Sequence, residues 1–489
     1  MAISSLITKN DPLRFYIEDI IHIISSMIQK YIAIGIYLLV LAFITLYSSR
    51  KKNNQDFLVA SRAIGWQRIG IAVFASLFSS YNLVLSITFS YLFGLWFIVI
   101  YLGVLAGFVT IYYIFKHGGR EMALVRGHIT IIDYFADRFG VTNANILNLS
   151  LMLILFIFIG LQFFINTSVF SNILGWDKYF SAIIVGVVVL LYTLIGGLKV
   201  SILTDVFQGI LMLVIGGMVF LVDSSKITFA VIHPILADKT IIIGALSLAV
   251  SQFLTLVTYP ELWQRAYAAR SLNDLKKAFI FAWFLLLVVI VPMVVIGLSA
   301  KATGSVTDPS NIFYDVLKAA SPAWYLPILS VALLAAFMST LDSALFAIGA
   351  QFGKNGFWFK SISTHESMDI YIVKKTRRAV IIVTVAALAL SLFFSNFLSA
   401  VFFLISLLTI VSTAVLCALL LKLSNRETTM VVVVGTVCFI GMTLMGYITD
   451  QPLTTLYPSF SLVGFVVLQR LVLFVKKHIN KRNSLPKSQ

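Results

Sequence analysis

The chain has 489 residues, of which 60% are hydrophobic and only 11% charged. A soluble domain carries about 45–50% apolar and about 25% charged residues, so too little polar surface is present to coat a soluble globule of this size. The formal net charge of +16 would suit a nucleic-acid partner, but a mean hydropathy of +0.99 would not. A secreted, disordered or ordinary cytosolic protein is excluded.

Asp11, Arg14, Glu18 and Asp19 interrupt the first thirty residues, and no small-residue cleavage site follows, so this stretch is not read as a signal peptide. Apolar residues at helical spacing from Phe15 to Ile28 predict a short interfacial helix. A membrane span takes about 20 apolar residues, and about thirteen runs meet that length. They cover 31–49, 66–93, 95–116, 144–170, 179–198, 202–222, 240–263, 277–300, 326–352, 379–395, 397–421, 428–448 and 453–475. Connections are short and no low-complexity linker intervenes, which predicts an all-α integral membrane protein of one membrane domain.

Basic residues concentrate in alternate loops: Arg50 to Lys52, Lys116 to Arg138, Arg265 to Lys277, Lys354 to Arg378, Lys422 to Arg426 and Lys476 to Lys487. By the positive-inside rule that side is cytoplasmic, which puts the N-terminus outside and the C-terminus inside a plasma membrane. The net charge is then a topology signal, and no nucleic-acid partner is expected. Cys417 and Cys438 lie within apolar runs and read as small hydrophobes rather than a disulfide. No pair among the six His has metal-ligand spacing, and no GxSxG, HExxH or Walker motif occurs. The chain is therefore not read as an enzyme or an ATP-driven pump.

Polar residues inside hydrocarbon are costly and point to function. The second run carries Ser79-Ser80-Tyr81-Asn82 at its middle and is too long for one straight span. It is either a helix bonded to its neighbours through Ser and Asn, or a discontinuous helix whose freed carbonyls face a site. The sixth run holds Thr204 and Asp205 near its cytoplasmic end. That acid is favoured there by the helix dipole, or serves as a cation ligand or a gate on the exit path. The seventh run contains Pro260 after Thr255, Thr258 and Tyr259. Proline removes a backbone donor, giving either a simple kink or a second interrupted helix. Two interrupted helices five spans apart are the pattern of an inverted-repeat transporter. The ninth run places Ser339, Thr340, Asp342 and Ser343 together, with Ala336 on the same face. Hydroxyl oxygens and a carboxylate suit a hard cation. The eleventh run adds Ser399, Ser406, Thr409 and Thr413, which line a cavity or act as packing bonds. No Lys or Arg is read at mid-depth in any run, which disfavours a polyanionic substrate.

Four segments together resemble the sodium:solute symporter family. These are Asp56-Phe57-Leu58 with Arg62; Tyr192 to Leu198 followed by Thr204-Asp205 and Gln208; Trp263-Gln264-Arg265 with Ala268 to Ser271; and Ala335 to Ser343. The resemblance implies a LeuT-type fold, five helices repeated upside down. Residues 1–30 would then be an external segment, 31–49 an extra helix, 66–421 the transport core, 428–475 two further helices and 476–489 a cytoplasmic tail. It also implies a sodium ion held by the carbonyls of Ala75, Phe78 and Ala336 and the hydroxyls of Ser339 and Thr340. In members similar to the sialic acid transporter a second sodium uses positions that here are Asp205, Ser339 and Ser343, with Asp342 where a serine often stands. Asp342 is then a ligand or a structural charge. Leu77 replaces the acidic residue of proline-type members, and no glycine marks the break at Ser79 to Asn82. The reading is a sodium-coupled symporter importing a small polar or zwitterionic solute, with Ser79, Asn82, Gln162, Thr255, Thr258 and Ser406 as solute contacts. A transporter-like sensor and a sodium-independent facilitator are the alternatives.

Overall fold

The computed structural model describes residues 12–50, 54–304, 312–313, 324–357, 366–394, 397–449 and 451–483. The ends of the first and last predicted segments lie outside them. In chain order the helices are α1 (Pro12–Ser48), α2 (Asn54–Val59), α3 (Trp66–Leu77), α4 (Ser80–Phe93), α5 (Ile100–Ile114), α6 (Arg120–Arg126) and α7 (Ile131–Phe139). Then come α8 (Val141–Leu174), α9 (Lys178–Met212), α10 (Phe229–Ala237), α11 (Lys239–Val257), α12 (Pro260–Ala268) and α13 (Leu272–Thr303). The last five are α14 (Tyr325–Asn355), α15 (Glu366–Ser391), α16 (Phe397–Leu420), α17 (Asn425–Leu444) and α18 (Tyr457–Asn483). Among the described residues the only β-type pairing is one isolated bridge, Ile64 to Ala269. Cys417 and Cys438 are free and half-buried.

Among the described residues, 10 helical stretches are long and apolar enough to cross a bilayer. Two of them, Asn82–Arg126 with 45 residues and Tyr179–Leu221 with 43, are each long enough for two passes. Each carries a glycine with positive φ where the helix breaks: Gly94 (φ 57°) and Gly197 (φ 62°). At Gly197 a Cβ would sit 2.4 Å from the Phe57 ring, so conformation and close packing both require glycine. α1 is continuous from Pro12, so the predicted interfacial helix and first span form one backbone element.

Both predicted interruptions are present. The first core helix stops at Leu77 and restarts at Ser80, with Phe78 (φ −98°, ψ 73°) and Ser79 (φ −80°, ψ 166°) non-helical between them. Ser79 caps the outgoing half by accepting the Asn82 N–H at 3.1 Å. The sixth core helix stops at Val257 and restarts at Pro260, in the first helical turn, where its missing donor costs nothing. α3 and α4 pack on α13, and α11 packs on α5. The first helix of each half thus contacts the second helix of the other, as an inverted repeat demands. Backbone bonds from the Ile64 N–H to the Ala268 carbonyl (3.1 Å) and from the Arg270 N–H to the Ile64 carbonyl (2.9 Å) tie the start of α3 to the end of α12.

α14 is the axis of the molecule. Its most apolar window is 100% buried, against 22% for that of the extra helix α1. It packs on α1, α8, α9 and α15. A helix buried all round has no lipid-facing side on which to place polar groups, so Ser339, Thr340, Asp342 and Ser343 all face protein.

Candidate cation and solute sites

The end of α3 leaves the carbonyls of its last turn outside the helical ladder. The Thr340 hydroxyl of α14 reaches the Ser76 carbonyl at 3.4 Å and its own Ala336 carbonyl at 3.2 Å. The Asn82 side chain takes the Leu77 carbonyl. No hydrogen bond to the Ala75 or Phe78 carbonyl forms among the described residues. Ala75, Phe78, Ala336, Ser339 and Thr340 are all at most 1% exposed. The five residues expected to hold the first sodium therefore lie on two helices joined at this point. They offer neutral carbonyl and hydroxyl oxygens, the donor type a hard cation takes.

One turn further along α14 the environment is ionic. Asp205 of α9 accepts the Ser339 hydroxyl on Oδ1 and the Arg265 guanidinium on Oδ2, each at 2.6 Å. Arg265 also donates to the Ser343 hydroxyl at 2.6 Å. The Ser343 proton has two acceptors in reach, the Ser339 carbonyl at 2.7 Å and Asp342 Oδ1 at 3.0 Å. Asp342 Oδ2 has no hydrogen-bond partner among the described residues. Beside this network Glu261, on the same face of α12 as Arg265, accepts the Tyr259 phenol at 3.0 Å and leaves its second oxygen unpartnered. Asp205, Asp342, Glu261 and Arg265 are all 0% exposed. Three carboxyl groups thus share one guanidinium.

Arg265 corrects the sequence reading in one respect, since it was counted with the loop cations and is buried in the protein. Every residue of α12 is buried, so the exposed loop charge on that side begins at Arg270. Arg265 is tolerated because Asp205, Ser343 and the Glu261 carbonyl receive it. Its burial and that of Glu261 leave no signal in composition, since both sit beside a polar boundary. The dipole account of Asp205 is also set aside. The helix restarts after Gly197, so Asp205 is about two turns in, beyond the reach of the dipole. Tyr37 and Tyr192 close the network from α1 and α9. Gln208 donates to the Tyr37 hydroxyl at 2.8 Å, and the Tyr192 hydroxyl donates to the Met338 carbonyl at 2.8 Å.

The two helix breaks flank a cavity of about 110 Å³. α3 and α4 supply Ser76, Asn82 and Ser86; α11 supplies Ser251, Gln252 and Thr255. The Thr255 hydroxyl has no partner among the described residues. Phe89, Phe97, Tyr101, Phe158 and Tyr259 form aromatic walls, and no charged side chain lines the cavity among the described residues. Of the six predicted solute contacts, Asn82 and Thr255 line it. The other four are buried elsewhere. Ser79 is the α4 cap. Gln162 accepts Asn166 Nδ2 at 3.3 Å within α8. Thr258 bonds the Ser412 hydroxyl at 2.5 Å. Ser406 is fully buried, while Leu404, Ile405 and Leu408 of the same helix face the cavity. Thr409 and Thr413 of that row on α16 donate to backbone carbonyls, while the Ser406 hydroxyl has no partner among the described residues.

The sodium:solute symporter family profile matches residues 57–430. Sodium/proline symporters of Staphylococcus aureus, from strains Newman and JH9 among others, are 26% identical over 388 residues, covering 74% of this chain and 75% of theirs. Among solved structures, a Na+-coupled sialic acid symporter in a substrate-bound outward-open state superposes with a TM-score of 0.76. That match has 17% identity and covers 89% of this chain and 95% of that one. The nucleobase-cation-symport-1 family transporter Mhp1, in a closed conformation, gives a TM-score of 0.53 at 15% identity, over 88% and 97%. These likenesses establish the LeuT-type inverted-repeat architecture. The chain belongs to the sodium:solute symporter family and is a multi-pass membrane transporter, not an enzyme.

Proposed function

We propose that this protein couples inward sodium flow to import of a small polar or zwitterionic organic solute. The observation that carries the reading is the junction of α3 and α14, where the Thr340 hydroxyl meets the Ser76 carbonyl beside the Ala75 and Phe78 carbonyls. A sodium ion there would tie the broken helix to the buried axis and favour the conformation in which the solute cavity is complete. Coupling then needs only that ion and solute prefer the same state. The membrane potential supplies about 2.3 kcal/mol per charge per 100 mV.

The cavity supports the solute class. Its hydroxyl and amide groups can bind polar atoms, its aromatic walls suit an apolar body, and the N-termini of α4 and α12 can offer backbone donors to a single carboxylate. For the second candidate site, Arg265 already occupies oxygens of Asp205 and Ser343. We therefore assign coupling to one sodium per solute, through the first site. The Lys- and Arg-rich side is cytoplasmic in this reading, with the N-terminus outside.

Uptake into proteoliposomes, with and without an inward sodium gradient, tests the proposal. Accumulation of a screened amino acid, sugar, monocarboxylate or vitamin only with the gradient is the expected result. Uptake indifferent to sodium would identify a facilitator, and binding without uptake a sensor.

A further inference from the structure

A second cavity, of about 570 Å³, lies apart from both sites just described. It is bounded by the end of α1, by α2, by the Gly197 break in α9 and by the first half of α15. Lys199, Lys374 and Arg377 face it with a single acid, Asp56. Asp56 is already committed. Its Oδ2 accepts Lys199 Nζ at 2.7 Å and its Oδ1 accepts the Ser61 hydroxyl at 2.5 Å. Lys374 and Arg377 form no ion pair among the described residues. The Arg377 guanidinium instead lies over the Phe57 ring, 5.1 Å from its centre, which fixes it at the cavity while leaving its N–H groups free to donate. Ser48 and Asn54 add hydrogen-bonding groups at the rim.

Apart from Ser49, the remaining walls are apolar. Leu194, Ile195, Ile370 and Val373 line the cavity, and Ile195 (43% exposed) and Ile370 (46%) continue onto the outer surface of the helices. The cavity is thus positive at its polar end and joins exposed apolar side chains of two helices at the other. A soluble anion would use the cations and leave the apolar wall wet. A phospholipid uses both, because basic pockets between membrane helices at the headgroup level hold lipid phosphate while the chains lie against the wall.

We propose that this cavity seats the phosphate of an anionic phospholipid from the leaflet on the Lys- and Arg-rich side, held by Lys374 and Arg377. The lipid would brace α2, which leads into the broken helix α3, against α15 and the Gly197 break. The proposal does not depend on the sodium or solute assignments.

The test is thermal unfolding of the purified full chain in detergent, with added phosphatidylglycerol, phosphatidylcholine or free glycerol phosphate. Phosphatidylglycerol is expected to raise the midpoint by several degrees, and the other two are expected to leave it unchanged. Lys374→Gln with Arg377→Gln should abolish that rise. Lys276→Gln with Lys277→Gln, an equal charge loss at exposed positions on the same side, should preserve it. Should the double variant at the cavity fold poorly, Lys374→Gln alone changes an exposed side chain and should at least halve the rise. An equal rise with glycerol phosphate would make this a soluble-anion site. An undiminished rise in the cavity variants would place the lipid elsewhere. Equal loss in both pairs of variants would reduce the effect to diffuse attraction. Each of these three results overturns the proposal.

Discussion

Two cation-suited clusters share α14 and the Ser339 hydroxyl, yet they are balanced in opposite ways. The cluster at the α3 break is neutral, made of carbonyls released by helix termination and two hydroxyls. The cluster around Asp205 is ionic and already holds a cation of its own, the Arg265 guanidinium. The first gains full coordination only from an ion in solution. The second has its main charge pair satisfied by the chain. On the proposed reading the contrast teaches that buried acids, the most conspicuous signal in such a sequence, belong to the framework, and that the coupling ion is assigned to uncharged oxygens.

The harshest way to break this comparison is to remove the guanidinium. Arg265→Leu leaves Asp205, Asp342 and Glu261 buried with no cationic partner among the described residues. Removing one partner of a buried pair costs about 3–5 kcal/mol, a large part of a typical folding free energy. Loss of folded protein in size-exclusion profiles of detergent extracts is expected. Adding Asp205→Leu should recover part of it, since removing both charges is less costly than orphaning one. A well-folded single variant would show that the pair is not structural.

Thr340→Ala strikes the neutral cluster. It removes one proposed ligand and its bond to the Ser76 carbonyl without touching a charge. The sodium concentration for half-maximal uptake should rise about tenfold, equivalent to about 1.4 kcal/mol of ion binding. Folding should change little. Unaltered sodium dependence would move the coupling ion away from this site.

Asp342→Asn separates the clusters more finely. Asp342 accepts the Ser343 hydroxyl, forms no ion pair among the described residues and leaves an oxygen unpartnered among them, so stability should stay within about 1 kcal/mol of the parent. The sodium-to-solute ratio, measured by paired isotope fluxes, should remain one to one. A parent ratio of two that falls to one in the variant would instead make Asp342 a ligand of a second ion.

The architecture was legible because its signals are local. Ser79 to Asn82 and Pro260 each disturb an apolar run, and the helices break within two residues of those positions. The polar cluster of α14 was legible for the same reason, as Ser339, Thr340, Asp342 and Ser343 close together in an apolar run. Arg265 was not, because a base next to a loop looks like loop charge until the fold brings Asp205 beside it from 60 residues away. Of the six residues expected to contact solute, only Asn82 and Thr255 line the cavity. Which side of a long helix meets a cavity depends on its rotation, and the most apolar windows of α8 and α16 are each 61% buried, so more than one side of each meets protein. Ser406 and Leu404 differ by two residues, yet Leu404 lines the cavity while Ser406 is turned into the helix packing.

Thr255 gives the smallest and most selective effect. It lies three residues before the break in the sixth core helix, lines the cavity and has a hydroxyl with no partner among the described residues. Thr255→Val keeps the shape and removes only that hydroxyl. A hydroxyl without a partner adds little to folding, so the midpoint of unfolding should hold. If the hydroxyl binds the solute, its removal costs the net value of one hydrogen bond, about 0.5–1.5 kcal/mol, or a two- to tenfold rise in KM for uptake. The sodium dependence measured at saturating solute should be unchanged, because Thr255 touches neither cation cluster. A combined change in KM and sodium dependence would mean that the cavity and the α3–α14 junction are one site rather than two neighbouring ones.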